Sequence, residues 1–239
     1  MSRPQVVLPS HPTRQVTDRL TASRGRDDLL AALELLLADR TALAAWLLSL
    51  VDDPDLLAGV VDASYWHQNG FAKLVLHRGA GFRIRLHVWP AGEGRQGESD
   101  PHSHRWDFAS TVLAGDGLEI VEWDELFEPV SATDMPLTRY VYDGFSLVPD
   151  MEVFLRADRQ FDVRTDDRYT TVTTTIHTVV PKGNDLVATL LVQGPHVNPA
   201  TAVYGTDLDD PVDRPGLRIA AQDVRELVTG VVATLAPRG

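Results

Sequence analysis

The chain has no cysteine, only two lysines among its 22 basic residues, and few aromatic residues. Without cysteine there are no disulfides, no thiolate metal ligands and no nucleophilic thiol, so cysteine-type structural zinc is excluded. Basic residues are outnumbered by 34 acidic ones. The resulting net charge of −12 argues against a nucleic-acid partner, because such binding rests on neutralising phosphates. Long apolar runs are missing as well. The stretch from Leu29 to Val51 is broken by Glu34, Asp39 and Arg40, so it does not read as a membrane span. The first dozen residues lack the apolar core and cleavage pattern of a secretion signal. A cytoplasmic protein is expected, with neither membrane nor nucleic acid as partner. The scarcity of lysine fits GC-rich coding, and it makes Lys73 and Lys182 worth inspecting.

What is present is an ordinary globular composition, 44% apolar and 23% charged, long enough for one large domain. Residues 1–25, proline-rich at the start, are expected to form a flexible arm. Residues 26–66 read as helical. Leu29, Leu30, Leu33, Leu36 and Leu37 recur at helical spacing between Asp27 and Ala38. A second helix is predicted from Thr41, as its cap, to Val51, and Asp53-Pro54 opens a third through about Ala63. These leucine-rich helices are expected to cover a sheet.

After Asn69-Gly70 the period drops to two, and residues 67–195 read as a β-barrel. Phe71–His77 and Phe82–Trp89 are predicted strands joined by Arg78–Gly81. In the second, Phe82, Ile84, Leu86 and Val88 share one side, while Arg83, Arg85, His87 and Trp89 share the other. Further strands are predicted at Trp106–Leu113, Leu118–Trp123, Thr138–Tyr142, Met151–Arg156, Phe161–Thr165, Tyr169–Val180 and Leu186–Gln193. So many short strands without intervening helices imply an antiparallel sandwich or barrel. Residues 196–239 read as loop followed by a helix over Asp223–Leu235, closing a single structural domain.

The chemistry concentrates between Trp89 and Gly115, where a loop of glycine and acidic residues leads to His102-Ser103-His104. Alternate residues of an extended chain point to one side, so two imidazoles can face one point. Neutral imidazole is the commonest transition-metal ligand, and two supply half of a site. Of the other six histidines, His11 lies in the arm, His196 in a proline-rich loop and His67 in a connection. His77 and His87 occupy strand positions that read as polar and outward-facing. His177 lies in Y-T-T-V-T-T-T-I-H-T-V-V, with Tyr169, Thr171, Thr173 and Thr175 on its face. A strand of that composition either lines a pocket or faces solvent.

The block F-R-I-R-L-H-V-W-P-A-G-E-G…P-H-S-H-R-W-D-F…V-L-A-G resembles the first sequence motif of the cupin superfamily. The W-x-x-G-E-G-like loop followed by H-x-H looks most like the cysteine dioxygenase (thiol dioxygenase) branch, whose members also place helices before the barrel. The firm match covers roughly residues 71–115. The resemblance implies a mainly β fold, a double-stranded β-helix or jelly-roll barrel, here with N-terminal helices and a C-terminal helix. It also implies a third metal-binding histidine on a later strand, which falls on His177 beside His102 and His104.

The sequence departs from the family in several places. No P-x-G precedes His177, and the usual carboxylate position falls on Phe108 and Ala109, which cannot coordinate. Asp107 has the wrong strand parity unless the strand bulges. A three-histidine centre is therefore favoured over one with Asp107, which would instead orient a histidine or Arg105. The branch's serine, histidine and tyrosine set is missing, since the segment Asp185–Pro195 offers only Thr189 and Gln193. The branch also holds its substrate carboxylate with an arginine on an earlier strand, and Lys73 is the nearest equivalent. Lys73, Arg85 and Arg105 are the candidate substrate-binding residues; Asp107 and Tyr169 are the candidate catalytic ones.

Three neutral imidazoles leave a divalent ion with its charge and with open positions, which suits Fe(II) taking an anionic substrate and dioxygen side by side. The same ligands suit Zn(II), Ni(II) or Mn(II) as Lewis acids. The expected function is a mononuclear non-heme iron oxygenase acting on a small amino-acid-like, thiol or carboxylate substrate. Two alternatives stay open: a cupin enzyme with a redox-inert metal doing isomerase or lyase chemistry, and a non-enzymatic cupin that binds a small molecule. The oligomeric state is open, a dimer included.

Overall fold

The computed structural model describes residues 12–22, 25–67, 69–92, 97–143, 146–206, 208 and 217–235. Four helices come first: α1 (Pro12–Ala22), α2 (Arg26–Leu37), α3 (Arg40–Asp52) and α4 (Pro54–Ala63). The strands β1 (Tyr65–His67), β2 (Phe71–Gly79), β3 (Phe82–Trp89), β4 (Glu98–His102), β5 (Phe108–Ala114) and β6 (Leu118–Leu126) follow. Then come β7 (Met135–Tyr142), β8 (Leu147–Val163), β9 (Arg168–Thr171), β10 (Ile176–Pro181), β11 (Val187–Gln193), β12 (Thr201–Gly205) and β13 (Leu217–Arg218). Helix α5 (Ala221–Leu235) closes the described chain.

The expected arm is corrected over its second half. Residues 1–11 and 23–24 lie outside the described residues, but 12–22 form α1, which buries Val16 and Leu20, four residues apart on one helical face. The Arg19 guanidinium reaches Asp28, 2.6 Å away at the start of α2. Helix α3 is capped by Asp39, whose side chain accepts from the Ala42 N–H, rather than by Thr41. Asp53 accepts from Asp55 and Leu56 at the start of α4, with Pro54 in the first turn, where its missing N–H costs nothing.

The strands form two sheets of a jelly-roll barrel. One runs β13-β1-β2-β3-β11-β5-β9, and the other, β10-β4-β12-β7-β8-β6, closes through the pairing of β10 with β6. Helices α2, α4 and α5 pack on the outer face of the first sheet, with α1 packed on α2 and α3 on α2, α4 and α5. Phe82, Ile84, Leu86 and Val88 of β3 join Leu29, Leu33, Leu43, Leu47, Val224 and Val228 in that core. Because helices cover the apolar side of β3, its polar side must face the barrel interior. Arg83, Arg85, His87 and Trp89 accordingly line the central cavity. The expectation that His87 is outward-facing is corrected on this point. A second apolar cluster, with Phe71, Trp89, Val112, Ile120 and Val179, fills part of the barrel.

Two strand boundaries differ from expectation for reasons of sheet membership. The predicted strand Tyr169–Val180 divides at a turn in which the Thr175 N–H donates to the Val172 carbonyl, 3.0 Å. Before the turn β9 pairs with β5 in one sheet; after it β10 pairs with β4 and β6 in the other. Conversely, the two strands predicted around Met151–Arg156 and Phe161–Thr165 are one strand, β8, pairing with β7 along its first part and β6 along its second. The strands β1, β4, β12 and β13 have too little apolar alternation to be visible in sequence.

Candidate metal centre

The centre is assembled where β4 lies against β10. Gly97 permits the approach, since a Cβ there would stand 2.1 Å from the Val179 carbonyl oxygen and 2.7 Å from the Val180 Cα. The resulting register sets His102 directly opposite His177. His102 is the last residue of β4, so the two histidines of H-x-H do not share a strand as expected; His104 lies in the connection to β5. That connection is pinned to β12. The Ser103 N–H donates to the Ala202 carbonyl, 2.9 Å, and the Ala202 N–H donates to the Ser103 hydroxyl, 3.0 Å.

One nitrogen from each of His102, His104 and His177 converges, all three within 4.8 Å of one another. The Nε2 atoms of His104 and His177 are 2.9 Å apart. Two nitrogens bound at right angles on bonds of about 2.0–2.1 Å would stand about 2.9 Å apart, so this spacing suits one ion. The Nδ1 of His102 lies 2.9 Å from the Asp100 carbonyl, which can only accept. That contact assigns the proton to Nδ1 and leaves the Nε2 lone pair inward. Among the described residues the buried His102 Nε2 has no hydrogen-bond partner. A buried acceptor without a donor is costly in an apo site and natural in a ligand. Burial, with the neighbouring His102 second, lowers the His177 ring to about 3, and burial with His102 and His177 holds His104 well below its ordinary value. Both are therefore neutral at pH 7, the form that binds a metal.

The other anticipated residues divide. The Asp107 carboxylate accepts from the Thr173 N–H, 2.8 Å, and so holds the turn that precedes His177. It is not one of the converging ligand residues, and it holds the backbone ahead of His177 rather than the side chain of a histidine or of Arg105. Tyr169 lines the cavity and meets Phe108 edge-on at 6.0 Å, and Phe108 in turn packs against His104 at 5.1 Å. Burial pushes the Tyr169 hydroxyl up to about 12, so it is a proton donor rather than a base at neutral pH. Lys73 is not a free anion anchor, because its Nζ lies 2.8 Å from Glu98 Oε1, the two side chains being 13% and 12% exposed. The departure at the third-ligand end also holds: Thr189 lines the cavity, whereas Gln193 is not among the cavity residues.

Arg85 is placed differently from Lys73. It is buried, stacks over Trp106 at 5.1 Å, and its Nε has no partner among the described residues. Burial lowers its pKa to about 10, which still leaves it charged at pH 7. Arg83 and Arg105 line the same cavity, Arg105 lying 5.8 Å from the Trp106 ring and donating to the Asp143 carbonyl, 2.8 Å. Trp106 stands 5.7 Å from His104 and links this arginine group to the histidines. The cavity holding all of them is about 1160 Å³, somewhat above the usual range of ligand-pocket sizes.

Sequence reasoning missed Glu98, His67 and His87. Glu98 is four residues before His102, at equal strand parity, and that spacing was the available signal. Its Oε2 lies 3.7 Å from His102 Nε2. Burial alone would raise its carboxyl, but Lys73, then His102, His67 and His87, hold it well below the usual range. His67 and His87 show no period that separates them from outward strand positions. Burial lowers His67 to about 3 and places His87 well below its ordinary value.

No protein-family model matches the sequence, and no curated protein matches it in sequence. Among solved structures, hydroxypropylphosphonic acid epoxidase from S. wedmorenis is 10% identical, with a TM-score of 0.33 over 54% of this chain and 53% of that one. A cupin superfamily protein from Desulfitobacterium hafniense DCB-2 is 16% identical, TM-score 0.31, covering 54% and 81% of the two chains. An RmlC-like cupin family protein with a double-stranded β-helix fold, from Methanocaldococcus jannaschii, is 11% identical, TM-score 0.31, covering 56% and 90%. The match thus spans about half the length of the epoxidase. What the site can do rests on its own side chains.

Proposed function

We propose that this chain is a mononuclear non-heme iron oxygenase of cupin type, acting on a small anionic substrate of the amino-acid, thiol or carboxylate class. The observation that carries the reading is the convergence of three imidazoles, His102, His104 and His177, on one point at the cavity wall. Fe(II) held there would supply a binding position for dioxygen and for a chelating or anionic substrate. Everything else is done by the chain. Arg85, with Arg83 and Arg105 nearby, binds the substrate's anionic group, and a buried guanidinium with no carboxylate partner among the described residues fits that task. Trp106 forms the apolar wall between that anchor and the histidines, and Phe108 packs against His104 and His177. The Tyr169 hydroxyl can donate a hydrogen bond into the cavity at neutral pH. Together they orient a ligand beside the histidines, and orientation is the protein's main contribution to such chemistry.

The test begins with metal analysis of protein purified without added metal. It continues with anaerobic Fe(II) loading and oxygen uptake on a panel of amino acids, thiols and carboxylates. One iron per chain, lost in His102→Ala, His104→Ala and His177→Ala, with substrate-dependent oxygen uptake, is the expected result. Zinc or nickel with no iron dependence would assign a Lewis-acid enzyme instead, and unchanged metal content in all three variants would sink both.

A further inference from the structure

The central cavity carries a charge opposite to that of the chain. Its described lining holds five cations, Lys73, Arg78, Arg83, Arg85 and Arg105, against two carboxylates, Glu98 and Asp100, in a protein of net charge −12. Lys73 and Glu98 cancel each other at 2.8 Å. Among the described residues the four arginines form no ion pair. Three of them are brought together by strand geometry. Arg78 of β2 lies directly opposite Arg83 of β3, and Arg85 follows Arg83 on the same face of β3. Directly opposed residues have Cβ atoms about 4.5–5.5 Å apart, and like charges placed so destabilise a sheet. Burial first, then the Arg78 and Arg105 guanidiniums, lowers the Arg83 pKa. Arg85 is 8% exposed, and its Nε has no partner among the described residues. An anion bridging the three would relieve the repulsion and take up the free donors. We propose that Arg78, Arg83 and Arg85 form a subsite for a phosphate monoester, so that the anionic group of the ligand held beside the histidines is a phosphate dianion rather than a carboxylate.

The chemistry of the donors selects between the two groups. A carboxylate offers two oxygens and one charge, which a single guanidinium fork already matches. A phosphate monoester carries about −1.5 to −2 at neutral pH and three terminal acceptor oxygens, enough for three forks. Arginine suits it because each fork binds bidentately and stays charged. Trp106 sets the length of the ligand. Its ring lies 5.1 Å from the Arg85 guanidinium and 5.7 Å from the His104 ring, so one indole separates the phosphate from the reacting end. The cavity, about 1160 Å³, has room for the body of such a molecule. Arg105, 5.8 Å from the same ring, extends the positive field that draws an anion in.

This inference rests on the reading of the cavity as the substrate site, and the experiment keeps the two apart. Titration calorimetry on the metal-free full chain at pH 7 measures inorganic phosphate, O-phosphoserine, acetate and serine. Phosphate and O-phosphoserine are expected to bind at least about tenfold more tightly than acetate and serine. Arg83→Met and Arg85→Met should each weaken phosphate about tenfold to a hundredfold, the loss of hydrogen bonds to a charged group. Arg78→Met should act in the same direction, and because Arg78 is exposed its replacement leaves the core intact if a buried variant fails to fold. Acetate bound as tightly as phosphate would overturn the proposal, as would wild-type phosphate affinity in all three variants. His102→Ala should lose metal and keep phosphate; loss of phosphate there would put the anion at the histidines and reject the subsite. Normal metal uptake with no phosphate binding rejects the subsite and leaves the three-histidine centre standing. Phosphate binding without metal uptake supports the subsite and rejects the centre.

Discussion

Replacing Lys73 by methionine probes the pair at the heart of the cavity. Methionine keeps the length and apolar stem but removes the ammonium, leaving the Glu98 carboxylate buried with its partner gone. The two side chains are only 13% and 12% exposed and 2.8 Å apart, so surface screening does not apply in full. Exposed ion pairs contribute about 0–1 kcal/mol, whereas removing one member of a buried pair costs about 3–5 kcal/mol. The Phe71 ring, 5.1 Å from the ammonium, adds a smaller cation–π loss. For a chain of this size 1 kcal/mol moves Tm by about 2–4 °C, so Lys73→Met should lower it by roughly 6–20 °C. Lys73→Met/Glu98→Gln should regain most of that loss, because no unpaired charge remains. The assay is urea unfolding of the metal-free proteins at pH 7, run as a double-mutant cycle. A loss below about 1 kcal/mol in Lys73→Met, or simple additivity of the two changes, would refute the buried pair.

Asp107→Ala should cost about 1.5–3 kcal/mol, the range for hydrogen bonds to a charged group. It should also weaken metal binding about tenfold or more, because the turn at Thr173 aims His177; unchanged affinity in a chelator competition would reject that role. The metal-free protein should lose stability as pH falls below about 6.5. His87 and His177 stay neutral when folded but take protons when unfolded, so the unfolded chain binds more protons and gains, by up to about 1.4 kcal/mol per pH unit for each. The shifts that set this window are His177 lowered to about 3 and His87 lowered well below its ordinary value. A flat urea midpoint between pH 7 and 5 would contradict it. Arg85→Met should stabilise the ligand-free protein by about 0.5–2 kcal/mol, as substitutions that relieve a functional site commonly do. The same variant should lose binding of small carboxylates, and a less stable variant would mean that the guanidinium has a structural partner.

Much of the fold could be read from local spacing. The helices over Arg26–Leu37, Arg40–Asp52, Pro54–Ala63 and Ala221–Leu235 bury one stripe each, so a period near four exposes them within a single turn or two. The alternation of Phe82–Trp89 is equally local, and H-x-H stands out as the one place where two histidines lie two positions apart. Helix α1 was less legible, with just Val16 and Leu20 to mark its face between proline and charged residues. His177 could be ranked above the other histidines only through the cupin resemblance, because nothing in its own strand separates a pocket from solvent.

What spacing cannot reach is the identity of partners far apart in the chain. His104 and His177 meet across 73 positions and Lys73 and Glu98 across 25, and neither pairing leaves any mark on the segments that carry it. Nor could alternation say which side of β3 is inside. An amphipathic strand looks the same whether its apolar side faces a barrel lumen or a helical layer, and here the helices took the apolar side. That single packing choice turned Arg83, Arg85 and His87 from ordinary surface residues into the lining of a cavity. The sequence by itself determined where the chain is helical or extended and which imidazoles were available. Only the tertiary structure decided which charges are buried and what each one faces, because burial depends on the element packed opposite, not on the residues next in line.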